Sequence, residues 1–175
     1  MGPRAVERER QDWIAEALAR WEGPLTRYAQ RTVGDLELAR DVVQDTFLRL
    51  WQADREEIEP RLAAWLFTVC RNRAVDIARR EGRMDGPSGR DGLAAPEESP
   101  LAALERKEAA GTILDALATL PQRQQEVVRL KFQEGMSYRE IGAVLDLSES
   151  NVGFILHTTM RALRASVNGE MGGQR

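Results

Sequence analysis

A pair of carboxylates, a cluster of arginines and a capped pair of short helices are the parts of this 175-residue chain whose side chains could do chemistry. Asp41 and Asp45 stand four residues apart, on one face of a helix, where like charges mildly repel. They could hold a divalent cation in principle. No convergent ligands accompany them, and no nucleophile–base pair marks a hydrolase. A nuclease is thus the enzymatic alternative, and a metal-dependent cleavage assay separates it. Cys70 and His157 are the single cysteine and histidine, so neither a disulfide framework nor a zinc set can be assembled. Cys70 reads as a small buried hydrophobe, and His157 as a surface or backbone-contacting side chain. We expect no enzyme, cofactor or metal. The chemistry left is recognition.

Recognition is best defined between Ser137 and Arg164, which read as a helix-turn-helix. Ser137-Tyr138-Arg139-Glu140 forms a capping box, with the Ser137 hydroxyl on the Glu140 amide and the Glu140 carboxylate reaching back. A short helix follows with Ile141, Val144 and Leu145 on one face and Gly142 beside them. Glycine inside a helix costs about 1 kcal/mol relative to alanine, and is best tolerated where two backbones approach closely. After a turn at Asp146-Leu147, Ser148 caps a second helix that buries Val152, Ile155, Leu156 and Leu163. Such an arrangement sets a helix in the major groove of DNA. The outward residues are Glu149, Ser150, Asn151, Gly153, Phe154, His157, Thr158 and Arg161. Asn151 could read adenine and Phe154 a thymine methyl; alternatively Phe154 packs on the neighbouring helix. Arg161 and Arg164 could reach phosphate.

Two further faces need a purpose. Glu37, Asp41, Gln44 and Asp45 form an acidic strip that Leu48 continues: either a solvated face or a docking strip for a basic partner helix. On a later helix Asn72, Asp76, Arg79 and Arg80 oppose the apolar stripe. Guanidiniums pair with phosphates, while Asn and Asp can bond base edges; an Asp76–Arg80 ion pair is the plainer reading.

Helices must position these groups. Trp13, Ala17, Trp21, Leu25 and Tyr28 recur at helical spacing, with a break or kink at Gly23-Pro24. Asp35 caps a helix reaching Trp51 and buried along Ala39, Val42, Val43, Phe47, Leu50 and Trp51. Asp54 to Pro60 reads as a polar, acidic loop. The next helix, Leu62 to Glu81, buries Leu62, Trp65, Leu66, Val69, Cys70 and Ile77. Gly82 to Pro100 is rich in Gly, Pro and acid without periodicity, and reads as a flexible linker. A helix from Leu101 to Leu120 follows, ended by Pro121. Another runs from Pro121, a suitable first helical residue, to Gly135 and buries Val127, Val128 and Leu130. No strand pattern emerges, so the fold is expected to be all-α: two small helical domains joined by a linker.

Composition agrees. Charged residues reach 30% and aromatics only 6%, a balance suited to small bundles. A net charge of −3 argues against a free-standing, high-affinity DNA binder, because phosphate neutralisation supplies most non-specific affinity. The charge is uneven, however: Arg71, Arg73, Arg79, Arg80 and Arg83 face only Asp76 and Glu81. No apolar run could cross a bilayer, and the N-terminus lacks the apolar core of a signal peptide. An intracellular protein is expected.

Three strings give the chain a family likeness: DVVQDTFLRLW at Asp41–Trp51, WLFTVCRNRAVD at Trp65–Asp76, and LPQRQQE at Leu120–Glu126 leading into SYREI at Ser137–Ile141. In this order and spacing the chain resembles an extracytoplasmic-function (group IV) sigma factor of bacterial RNA polymerase. The resemblance implies sigma domain 2 over residues 10–83, an acidic linker over 84–103, and sigma domain 4 over 104–168. It implies that Asp41, Gln44, Asp45 and Leu48 meet the coiled coil of the polymerase β′ subunit, the β subunit being a further contact. Asn72, Asp76, Arg79 and Arg80 would meet the minus-ten element, and Asp54–Pro60 would capture a flipped base. Ser148, Ser150, Asn151, Phe154, His157 and Arg161 would serve minus-thirty-five readout. The linker would thread near the polymerase active site. The implied partners are core polymerase, promoter DNA and an anti-sigma factor, often membrane-bound, that holds a cytoplasmic protein inactive. The chain departs from the family pattern at Gly153, Phe154 and Ile155, and at Asp146, where glycine is common. A helix-turn-helix operator-binding regulator that does not replace a sigma factor is the alternative of a different class.

Overall fold

The structure, a computed structural model, describes the backbone of residues 3–81 and 117–171 and the side chains of 7–81 and 117–165. Every element among them is helical, and the chain divides into two compact units, Met1–Asp91 and Gly92–Arg175. The expected linker, and all of the Leu101–Leu120 helix before Leu117, lie outside the described residues. Leu117 and Ala118 are helical, and Leu117 is buried.

In the first unit, α1 (Pro3–Val33) buries Trp13, Ala17, Trp21, Leu25, Tyr28, Ala29 and Val33 along one face. It does not break at Gly23-Pro24; the helix runs through Pro24, its apolar face held on both sides of it by neighbouring helices. Gly34, at φ +74°, then reverses the chain. Asp35 caps α2 (Leu36–Gln52), its carboxylate accepting from the Leu38 amide at 2.9 Å. Helix α2 buries Ala39, Val42, Val43, Thr46, Phe47 and Leu50. Thr46 is admitted because its hydroxyl donates to the Val42 carbonyl at 2.8 Å. Trp51 is not core; one residue past Leu50 it rotates to the rim and remains exposed.

Asp54 to Pro60 is not a loop. It forms α3 (Arg55–Ile58) and a 3₁₀ turn (Glu59–Arg61). Asp54 accepts from the Glu56 amide, Ile58 is buried, and the pairs Arg55–Glu59 and Glu57–Arg61 brace the turns. Charge density suggested a loop, but these i, i+4 pairs favour helix.

The buried stripe of α4 (Leu62–Arg80) is Ala64, Leu66, Phe67, Cys70, Ala74 and Ala78. Leu62, Trp65, Val69 and Ile77, expected in the core, are half-buried. The helix is turned so that alanines face its neighbours, which permits close approach, while Phe67 meets Trp21 and Tyr28 edge-on at centroid distances of 6.1 and 5.3 Å. Burial pushes the Cys70 thiol up to about 12, against the lowering contact with Thr46. This suits a small core residue.

In the second unit Pro121 is the N-cap rather than the first residue of α5 (Gln122–Phe132). Gln125 is buried, as are Val127, Val128 and Leu130; its side-chain amide donates to the carbonyls of Leu120 at 2.8 Å and Ala118 at 3.3 Å. Helix α5 ends at Phe132, short of Gly135, which takes φ +69°; Met136 N then donates to Leu130 O. Helix α6 (Tyr138–Leu145) carries the full capping box, and Asp146 adopts the left-handed conformation at φ 55°. Helix α7 (Glu149–Met171) packs on α5 and α6. It buries Val152, Leu156, Thr159 and Leu163, with Ile155 only half-buried.

Candidate nucleic-acid and protein interfaces

On α2, Asp41, Gln44 and Leu48 point outward, Leu48 at 56% exposure. Beside them Leu18 and Ile14 of α1 join Val43, Phe47, Leu48 and Trp51 around an open groove of about 440 Å³. The acidic strip is therefore backed by an apolar trough, which suits an amphipathic partner helix better than plain solvent. Local spacing does not reveal the α1 wall or the rim position of Trp51, because Leu18 lies one residue off the Ala17 stripe and Trp51 continues the apolar run of α2. Asp45 is not free on this strip: its Oδ2 lies 2.8 Å from Nε of Arg73 on α4, and both side chains are partly covered.

On α4, Asn72, Asp76, Arg79 and Arg80 are exposed together on one side. Among the described residues no ion pair joins Asp76 to Arg80, so both groups are available to a ligand. On α3, Glu56 and Glu57 are exposed beside the exposed Glu59 and Pro60.

The helix-turn-helix is built as its residues demand. Hydrogen bonds from the Ser137 hydroxyl and the Ser137 amide hold the Glu140 carboxyl below its usual value; burial opposes them, and Lys131 adds a weaker attraction. A Cβ on Gly142 would stand 2.5 Å from the Leu147 carbonyl oxygen, so this glycine sits where the turn crosses the first helix. Arg123 of α5 donates to the Leu145 carbonyl at 3.3 Å, placing a cation at the C-terminus of α6. Ser148 starts α7, accepting from the Asn151 amide at 3.2 Å.

Ser150, Asn151, Phe154, His157 and Arg161 are exposed on α7, a continuous polar and aromatic face. Phe154 is 67% exposed and does not pack against the neighbouring helix. Gly153 instead faces the Tyr138 ring, 3.5 Å from where a Cβ would stand. Lys131 sits over that ring at 5.4 Å and donates to the Met136 carbonyl. Lys131, Phe132 and Tyr138, none of them singled out from sequence, border a groove of about 450 Å³ with His157, Arg161 and Arg164. Their convergence depends on α5 meeting α7, which no local pattern signals.

Among the described residues, no group of three His, Cys, Asp or Glu side chains could share a metal ion, and no helix is long and apolar enough to cross a membrane.

Residues 17–84 match the family profile Sigma-70 region 2, and residues 110–163 match Sigma-70, region 4. Together with the helix-turn-helix they define a sigma-type transcription factor. The ECF RNA polymerase sigma factor SigL of Mycobacterium tuberculosis is 38% identical over 156 residues, covering 85% of this chain and 84% of that protein. The RNA polymerase sigma factor CarQ of Myxococcus xanthus is 32% identical over 161 residues, 88% of each. The chain belongs to the extracytoplasmic-function sigma factors, which bind core RNA polymerase and direct promoter-specific initiation. Among solved structures, CnrH in complex with the cytosolic domain of CnrY aligns over 91% of this chain and 90% of its own, with TM-score 0.58 and 26% identity. The sigma factor RpoE of Bartonella quintana, crystallised with the anti-sigma factor NepR, shares the fold at TM-score 0.59 and 22% identity, over 92% and 98%.

Proposed function

We propose that the two units divide promoter recognition, as residues 10–83 and 104–168, with 84–103 as the tether. Asp41, Gln44 and Leu48, backed by the α1–α2 groove, dock a helix of the polymerase β′ coiled coil. Asp45 contributes through its charge while pairing with Arg73. Asn72, Asp76, Arg79 and Arg80 meet the minus-ten element at the upstream edge of melting, and the Asp54–Pro60 segment captures an extruded base. Extrusion costs a few kcal/mol, which contacts made within the polymerase complex offset. Ser148, Ser150, Asn151, Phe154, His157 and Arg161 serve the minus-thirty-five element in the major groove.

The observation that carries this reading is one small bundle with two exposed faces of different chemistry. The α2 face is acidic with an apolar trough, and the α4 face carries Asn72 and Asp76 beside the arginines Arg79 and Arg80. Neither face alone would bind DNA tightly in a chain of net charge −3. Held by polymerase at a fixed separation, two weak DNA contacts gain from effective concentration. The protein would carry out no covalent step and would act in the cytoplasm. An anti-sigma factor covering the α2 face would keep it inactive; CnrH is found with the cytosolic domain of CnrY, and the Bartonella factor with the anti-sigma factor NepR.

The test is run-off transcription with purified core polymerase on genomic DNA, mapping start sites. Start-site selection is expected with the parent chain and not with Asp41→Arg. Asn72→Ala with Arg80→Ala should spare core binding while impairing promoter opening. If Asp41→Arg co-purifies with core as well as the parent does, the docking assignment is wrong.

A further inference from the structure

The junction between α2 and α3 is held from outside itself. Arg10, near the start of α1, donates through Nη2 to the carbonyl of Trp51 and, at 2.7 Å, to that of Ala53. Ala53 is the C-cap of α2, and the carbonyls there carry the partial negative charge of a helix end, so a guanidinium is well matched. One turn along α1, the buried Trp13 lies beneath the Arg55 guanidinium, 5.4 Å from the ring centroid. Arg55 is also joined to Glu59 by two hydrogen bonds, at 3.0 and 3.2 Å. Ile58 is buried beneath the turn. The stretch from Ala53 to Glu59 is thus fastened at its start by Arg10, through its first turn by Arg55 on Trp13, and from beneath by Ile58. Glu56 in this stretch and Pro60 just beyond it are exposed, while Glu57 is exposed but paired with Arg61. Arg10 and Trp13 both precede residue 17, where the region 2 match begins.

We infer that Arg10 is a positioning residue for the base-capturing segment: it sets the pose of Asp54–Pro60, and discrimination among minus-ten bases depends on it. The inference rests on reading that segment as the site of base capture. Discrimination between bases requires a fixed pocket, since a segment free to shift accommodates several bases about equally. Arg10 acts on backbone carbonyls at the C-terminal end of α2, about two helical turns past Gln44 and further from Asp41. It does not itself line the docking groove that Trp51 borders, so its loss should leave the polar docking contacts in place and spare binding to core polymerase.

The experiment uses the full chain with core polymerase on a promoter mapped by run-off transcription. Variants of that promoter carry each of the four bases at the captured position. Arg10→Met keeps the stem and removes the donors; Arg10→Lys keeps the charge. For Arg10→Met, core affinity should stay within about twofold, while the output ratio between the preferred base and the others falls about tenfold, the loss of a charge-assisted hydrogen-bond pair. Arg10→Lys should recover most of the ratio. An unchanged ratio in Arg10→Met overturns the inference. So does an equal fall in output on all four promoters, because that is lost stability rather than lost positioning. Glu56→Ala with Glu57→Ala is measured alongside. If it changes the ratio and Arg10→Met does not, only the positioning role fails. If neither changes it, base capture by this segment fails as well.

Discussion

Asp45 and Arg73 form an ion pair of 2.8 Å that ties the middle of α2 to the middle of α4. The carboxylate therefore sits at the boundary between the face proposed for polymerase and the face proposed for DNA. Both side chains are just over a third exposed, which limits the pair to well under about 1 kcal/mol of stability. Charge reversal at Asp45 thus combines two effects, and a swap separates them. Asp45→Arg alone should weaken both core binding and thermal stability; adding Arg73→Asp should restore the melting temperature but not core binding. Asp41→Arg should weaken core binding by about tenfold or more with no change in melting. Restored core binding in the swapped pair would mean that Asp45 acts only within the bundle.

Phe154 is an aromatic ring on the outer face of α7 with little to pack against. Its replacement by alanine should change stability by no more than about 0.5 kcal/mol. Initiation should nonetheless fall on promoters bearing a thymine at the contacted minus-thirty-five position, and the preference for that base should weaken by roughly tenfold, as for one lost base contact. In vitro transcription on paired templates, with a melting curve as control, measures both.

Gly142 has no room for a side chain, because the Leu147 carbonyl oxygen lies 2.5 Å from the Cβ position and belongs to backbone. Gly142→Ala should cost about 3 kcal/mol, despite alanine's higher helix propensity. Thermal or urea unfolding of the full chain, followed by a probe in the second unit, tests this. Unchanged stability would show that the turn moves aside freely.

The capping box at Ser137 and Glu140 predicts a response to acid. Hydrogen bonds from Ser137 hold the folded carboxyl below its ordinary value of 4.5. A group depressed in this way contributes stability above the unfolded value, and that contribution is lost as pH falls through the folded one. The melting temperature should therefore drop more steeply below pH 4.5 in the parent than in Glu140→Gln. At neutral pH Ser137→Ala should cost about 1 kcal/mol. Equal acid slopes in parent and Glu140→Gln would remove the carboxylate from the cap.

Much of the fold is written in local patterns. The Trp13–Tyr28 stripe, the Asp35 and Ser148 caps, the Ser137 capping box and the left-handed turn at Asp146 each involve residues within one helical turn or one repeat of it. Their outcome depends on neighbours in the chain, so it can be read without knowing the rest. The helix-turn-helix was legible for the same reason, as were the exposed Ser150, Asn151, Phe154, His157 and Arg161, whereas Gly153 and Thr158, expected to face outward, are half-buried.

What tertiary structure decided is where faces meet. Alanine spacing gave no hint that α4 turns Ala74 and Ala78 inward and leaves Trp65 half-exposed, because that rotation depends on how closely α1 and α2 approach. The Asp54–Pro60 segment looked like a loop until Ile58 found a core to enter and Arg55 a ring to lie on. Asp45 looked like part of a free strip until α4 brought Arg73 beside it, and Trp51 looked like core until the groove placed it at a rim. The sequence alone determined the long helices, the caps built from neighbouring residues and the family. Long-range packing, whose partners lie tens of residues apart, determined which of their polar groups remain free to bind.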